Sequence, residues 1–300
     1  VMNVTLYVYE IMTKRVRGKI IQDVSNFEND LLRVVQNLMK IPLEDRKKDF
    51  EKDKKVLYLE DFDYDKTKRT MLFTFVSAKY NNTRSVIAVN TLKEKKDKKK
   101  GPLDGDKEYT RLIIRFDSVD GKEATGILQH NSNGVSISKI KEYFTEKIWK
   151  YHCDVKQDDV RYEVLAYNKL SREFIIALEN AKRISALKVT IETEDIEVSE
   201  FKKLSELNDI NDDVEIMMKP VKRGASINPK TVKNFYNIYK ENPGRIKRIW
   251  VNTEDMEKNP LSFDTDKVKE KIVVKVGEEE GGQPDSRELI TMLKSNLQKF

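Results

Sequence analysis

In the first half of the chain, apolar and polar residues alternate in short runs that predict β-strands. These runs are residues 3–11, 54–62, 69–79, 83–92 and 109–130, the last with the character of a hairpin. In two other segments apolar residues recur three and four positions apart, which is typical of an amphipathic helix. They are residues 25–40, with Ser25 or Asn26 as N-cap and Pro42 beyond the end, and residues 136–152.

From about residue 155 the pattern changes to strands separated by single helices. Strands are predicted at residues 160–168, 186–193, 213–221, 246–255 and 269–276, and helices at 170–183, 197–208, 228–241 and 285–298. This order predicts an α+β or mixed α/β fold with strands alternating with single helices, and not a doubly wound nucleotide-binding sheet. We expect an N-terminal α/β domain, 1–152, and a C-terminal α/β domain, 153–300.

The composition is that of a globular protein with a heavily charged surface, since 38% of the 300 residues are hydrophobic and 36% are charged. The apolar runs are far shorter than the roughly 20 residues of a transmembrane helix, so we expect no membrane span. A single cysteine excludes an internal disulfide framework, and two histidines leave little for a zinc site. A reducing, cytoplasmic location is the simplest interpretation.

Positive charge is concentrated in two places, although the net charge is only +6. Residues 219–248, the basic segment, hold nine Lys or Arg and one acid, so this segment is +8 and the other 270 residues are −2. The lysine-rich loop, 93–107, adds a secondary basic cluster that consists of Lys93, Lys95, Lys96, Lys98, Lys99 and Lys100. Such concentration is expected of a protein that binds a polyanion, although charge runs also form ordinary solvated faces.

The basic segment has a geometry that favours phosphate contacts. Its helix, 228–241, places Val232, Phe235, Tyr236, Ile238 and Tyr239 on one arc and its lysines on the opposite arc. Asn228 is the predicted N-cap and Pro229 suits the first turn. We expect the strand before the helix, the helix and the strand after it to present one electropositive surface. The predicted DNA-binding residues are Lys219, Lys222, Arg223, Lys230, Lys233, Lys240, Arg245, Lys247 and Arg248.

The aromatic residues of this segment, Trp250 among them, follow helical and strand periodicity, which favours core packing over stacking on bases. Duplex binding is therefore predicted ahead of single-strand binding.

Catalytic motifs are weak or absent. No phosphate-binding glycine loop occurs, and Gly224 is more simply a turn residue. The acidic run Asp61, Asp63 and Asp65 lacks the glycine and the glutamate that an EF-hand requires. His152 and Cys153 are neighbours in sequence and so face different directions. We therefore predict no catalytic residue, no metal and no cofactor.

The second half resembles RexA-like phage exclusion proteins and the related DNA-binding B component of Kiwa anti-phage systems. The resemblance lies in element order and spacing, above all in the strand DVEIMMKP that leads into basic residues and a lysine-bearing helix. It implies a cytoplasmic, prophage-encoded or defence-associated homodimer of mixed α/β fold that binds DNA largely without sequence preference. It also implies superinfection exclusion or abortive infection, with a membrane-protein effector encoded nearby. The site residues that it implies are Lys219, Lys222, Arg223, Lys230 and Lys233.

The predicted function is thus that of a non-enzymatic protein that contacts the backbone phosphates of double-stranded DNA through the basic segment. Two alternatives stay open. One is a metal-dependent nuclease of a defence system, with Asp and Glu residues of the first half as ligands. The other is a protein-interaction module whose basic face docks an acidic partner, such as its own residues 194–215 across a dimer.

Overall fold

The computed structural model describes residues 1–17, 26–80, 104–156, 161–169, 176, 178, 180–192, 213–222, 224–241, 246–254, 260–264, 270–279 and 282–300. The fold is mixed α+β, as the sequence predicts, with helices packed on antiparallel sheets. The helices are α1 Phe27–Leu38, α2 Leu43–Arg46, α3 Ile137–Tyr151, α4 Pro229–Glu241 and α5 Ser286–Leu297, with a 3-10 turn Glu51–Asp53 and a π turn His152–Lys156. The strands are β1 Met2–Arg17, β2 Lys48–Phe50, β3 Lys55–Asp65, β4 Thr70–Lys79, β5 Asp106–Phe116, β6 Glu123–His130, β7 Arg161–Asn168, β8 Arg183–Glu192, β9 Asp213–Met218, β10 Ile246–Glu254, β11 Pro260–Asp264 and β12 Lys271–Val276.

The chain forms two compact units, of which the first comprises Val1–Ala166 and Ile272–Phe300. Its sheet has the order β12-β1-β6-β5-β4-β3-β2, and β7 also pairs with β1. Strands β2 to β6 follow one another as an antiparallel meander. Because β6 occupies one edge of the long strand β1, β7 and β12 share its other edge.

Helices α1 and α3 cover one face of this sheet. Asn26 caps α1, since its side chain accepts a hydrogen bond from the backbone of Asn29 at 2.9 Å. The helical apolar faces pack on the strands, and the ring of Phe144 meets that of Phe73 edge to face at 5.2 Å between centroids. Successive residues of β1 point to opposite faces of the sheet, so that Tyr9 and Ile11 lie in this core and Val4, Leu6 and Val8 lie in the core of the other face.

The second face of the sheet is covered by α5. Leu289, Leu293 and Leu297 pack on residues of β1, β4, β5, β6 and β12 that point away from the first core. Two arginines of β5 hold the two ends of this helix. The Nη2 of Arg111 donates to the Ser286 hydroxyl at 2.6 Å, and the Nη1 of Arg115 donates to the Leu297 carbonyl at 2.9 Å. Burial lowers the pKa of the Arg111 guanidinium below its ordinary value.

The second unit, Tyr167–Lys271, contains a four-stranded antiparallel sheet of order β11-β10-β8-β9. Its core lies between this sheet and α4, where Val232 packs with Val189, Ile249 and Val251. The ends of this unit meet, since the backbone N–H of Glu270 donates to the carbonyl of Lys169 at 2.7 Å. Each sheet therefore has a hydrophobic core of its own.

The two units divide the chain differently from the expected boundary at 152/153. Residues 153–166 and 272–300 belong with the first unit, because β7 and β12 pair with β1 and α5 packs on the same sheet. The second unit is consequently an insertion between two strands of the first. Several predicted elements lie outside the described residues. They are the strand 83–92, the lysine-rich loop up to residue 103, most of the helix 170–183 and the helix 197–208.

We expect Leu293→Ala to lower the free energy of unfolding by about 2–5 kcal/mol, because Leu293 is fully buried between α5 and the sheet. The matched control is Met292→Ala, one residue earlier on the exposed side of α5, which should change it by less than about 0.5 kcal/mol. Urea denaturation of the two variants gives the comparison. Equal losses would contradict the packing of α5 on the second face.

Candidate nucleic-acid interface

Helix α4 begins where the sequence predicts. The Oδ1 of Asn228 accepts a hydrogen bond from the backbone N–H of Lys230 at 2.9 Å, and its carbonyl accepts one from Thr231 at 2.9 Å. Pro229 fills the first helical position, where no N–H is needed. These bonds occupy the first backbone donors of the helix, so phosphate contacts here would come from lysine side chains and not from the helix N-terminus.

The predicted separation of lysines and aromatics on α4 is confirmed for most of the described side chains. Val232 is buried, Phe235 and Tyr236 pack partly buried against the core, and Lys230 and Lys233 are exposed. Ile238 departs from the prediction because it is 37% exposed. It lies six residues after Val232, which turns it about 120° away from the core direction.

The turn between β9 and α4 carries Lys219 and Lys222, both exposed. Gly224 has a φ of +86°, and a side chain at this position would meet nothing within 4 Å. Glycine adopts this left-handed backbone of a turn without steric cost.

The next residues of this turn are fixed to the start of β8. The backbone N–H of Ile184 donates to the Ser226 hydroxyl at 2.8 Å, and that of Ile227 donates to the Ile184 carbonyl at 2.9 Å. The turn thus joins the sheet to α4 through defined hydrogen bonds. Four exposed lysines, the lysine surface, belong to this turn and helix: Lys219, Lys222, Lys230 and Lys233.

Arg248 does not join the lysine surface. In β10 its neighbour Ile249 points into the core beneath α4, and alternate residues of a strand point to opposite faces. Arg248 therefore points to the opposite face of the sheet. The expectation of one continuous electropositive surface is wrong for this residue.

The structure describes the other predicted basic residues only in part or not at all. Lys240 and Lys247 are described in their backbone alone, on α4 and β10. Arg223, Arg245 and the six lysines of the secondary cluster lie outside the described residues.

The face to which Arg248 points contains a cleft of about 220 Å³. Three strands line it with Lys188 and Thr190 of β8, Glu215 and Met217 of β9, and Arg248 and Trp250 of β10. We name this site the tryptophan cleft. The sequence prediction assigned Trp250 to core packing, but it is half-buried on the face away from α4. The polar positions 188 and 190 alternate with the apolar positions of β8, a signal that could have located this face.

The other residues considered in the sequence belong to the first unit. His152 is buried, and its Nε2 is 3.2 Å from the Oδ2 of Asp30, whereas Cys153 is exposed. Asp63 faces Lys294 at 3.4 Å, and Asp65 accepts a hydrogen bond from the backbone of Lys68 at 3.0 Å. In the part of the chain that the structure describes, His, Cys, Asp and Glu side chains form no group of three that could hold a metal.

None of the helices among the described residues has the length and apolar character that crossing a bilayer requires. No family model matches the chain, and a comparison with curated proteins finds no match.

The cap of α4 can be tested locally. We expect Asn228→Ala to reduce the stability of α4 by about 1 kcal/mol, because the backbone N–H of Lys230 loses its acceptor. Amide hydrogen exchange within 229–241 should then be about fivefold faster. The control Asn234→Ala, at an exposed position inside the helix, should slow exchange slightly or leave it unchanged. Unchanged exchange in Asn228→Ala would contradict the assigned cap.

Proposed function

We propose that this protein binds double-stranded DNA without enzymatic action and largely without sequence preference, through phosphate contacts made by the lysine surface. The observation that carries the proposal is the run of exposed lysines along the turn and α4. No acidic residue occurs between positions 219 and 240. A run of exposed ammonium groups attracts a polyanion.

The nearest described acid of β9 does not neutralise this array. Glu215 points to the tryptophan cleft, where its Oε2 is 2.5 Å from the Nζ of Lys188. The carboxylate of Glu215 is thus engaged on the other face of the sheet and not with the lysine surface.

Lysine is suited to phosphate contacts of this kind. Its ammonium group acts as a point charge on a flexible stem and follows a phosphate backbone without reading base edges. Binding should accordingly depend on charge and shape and weaken steeply as salt is added.

The biological setting is part of the same proposal and is supported by the resemblance in element order to RexA-like phage exclusion proteins. In that setting the protein acts in the cytoplasm as a homodimer, in superinfection exclusion or abortive infection. Its DNA-bound state would be coupled to a membrane-protein effector encoded nearby. The lysine surface is then the part of the system that engages DNA.

The test is a charge reversal of three members of the lysine surface, Lys222→Glu, Lys230→Glu and Lys233→Glu, in one protein. We expect affinity for a labelled duplex to fall more than about tenfold at about 50 mM salt. The slope of log affinity against log salt should become shallower by about 2.7, or about 0.9 for each lost phosphate contact. Fluorescence anisotropy across a salt series measures both quantities.

The matched control reverses three exposed lysines of the first unit, Lys40→Glu, Lys52→Glu and Lys66→Glu. Each triple variant changes the net charge by the same six units, from +6 to zero. The control should retain most of the affinity. Equal loss in both variants would show a general charge effect, and absence of duplex binding at low salt would reject the proposal.

A further inference from the structure

The two faces of the four-stranded sheet differ in chemistry. One is the apolar face beneath α4, with Ile184, Leu187 and Val189 in its core. The other is the face of the tryptophan cleft, where Arg248 and Glu215 are exposed and Met217 is 53% exposed. This second face is accessible and combines cations with an aromatic ring, whereas the first is covered by α4.

Strand register arranges the cleft in two rows. Met217, Lys188 and Trp250 are consecutive cross-strand partners in the first row, and Glu215, Thr190 and Arg248 are partners in the second. Directly opposed side chains on one face have Cβ atoms about 4.5–5.5 Å apart. Trp250 and Arg248 are two residues apart on the same strand, or about 6.7 Å. The ring and the guanidinium are therefore close neighbours on one surface.

This combination of groups matches the parts of an unpaired nucleotide. The tryptophan ring offers a flat surface on which a base can stack, with the thioether of Met217 and the stem of Lys188 continuing the row. Arg248 lies within reach of the phosphate that flanks a base so stacked. The rows carry two cations and one carboxylate, and Glu215 is already engaged with Lys188 at 2.5 Å. An apolar partner would have to remove these charged side chains from water, which is costly.

We propose that the tryptophan cleft binds single-stranded nucleic acid, with an unpaired base stacked on Trp250 and the adjacent phosphate on Arg248. Paired bases are stacked inside a duplex and present no face to a tryptophan, so the occupant is a single strand. The cleft is separate from the lysine surface, which lies on the turn and α4. A negative result for single-strand binding in the cleft would therefore leave the proposal of duplex binding by the lysine surface intact, and the reverse also holds.

The test uses the fact that the chain has only two tryptophans. The variant Trp149→Phe leaves Trp250 as the sole tryptophan in the full-length protein. Trp149 is 41% exposed on α3 in the first unit, so this conservative change should be tolerated. Trp250 fluorescence is titrated with an oligothymidylate of about 12 nucleotides, within the usual range of single-strand site sizes. An abasic oligomer of the same length and charge serves as the matched probe.

We expect saturable quenching by the oligothymidylate and little quenching by the abasic oligomer, because stacking requires a base. Equal quenching by both probes, or no quenching by either, would overturn the proposal. The quenching should persist when Lys222→Glu, Lys230→Glu and Lys233→Glu are added, so the loss of duplex binding does not obscure the outcome.

A second readout is affinity for labelled oligothymidylate in otherwise unmodified protein. Trp250→Ala should weaken binding about 5- to 150-fold, the range for loss of one base-stacking contact. Trp149→Ala should leave it unchanged, and Arg248→Gln should make the salt slope shallower by about 0.7. Should Trp250→Ala fail to fold by circular dichroism, the quenching comparison decides alone. Unchanged affinity in a folded Trp250→Ala protein would reject the stacking role.

Discussion

Two arginines of β5 hold the ends of α5 against the second face of the first sheet, and the burial of that face depends on this contact. Without α5, side chains such as Leu6, Ile113 and Ile127 would lose the core that buries them. The last 29 residues must therefore return to the sheet that the first residues begin. The second unit is consequently an insertion in that framework.

Local periodicity predicted most of the described strands and helices, because burial on one face imposes a repeat that residues reveal without knowledge of their partners. The pairing of β12 and β7 with β1 could not be predicted in this way. A strand's alternation shows which residues are buried but not which edge it joins, and these partners are more than 140 residues apart in sequence. The boundary expected at 152/153 differed from the observed division for this reason.

The same reasoning explains how much of the candidate site the sequence predicted. On α4, helical periodicity separated Lys230 and Lys233 from Val232 correctly. A net charge summed along the chain, however, combines side chains that point to opposite faces of a sheet. Arg248 was counted with the lysines although strand alternation directs it elsewhere, and Trp250 was assigned to a core although it shares the face of Arg248. The cleft required the register of three strands, which no single segment encodes.

The backbone hydrogen bond from Glu270 to Lys169 brings together the two ends of the second unit. A segment whose ends already meet adds little strain to its host, and doubling the length of a flexible closed loop costs only about 0.6 kcal/mol. The two cores of the first sheet are built from residues outside this segment. In evolutionary terms, a change in the length or sequence of the second unit is therefore expected to affect the framework less than a change in β7, β12 or α5, which build its sheet and cores.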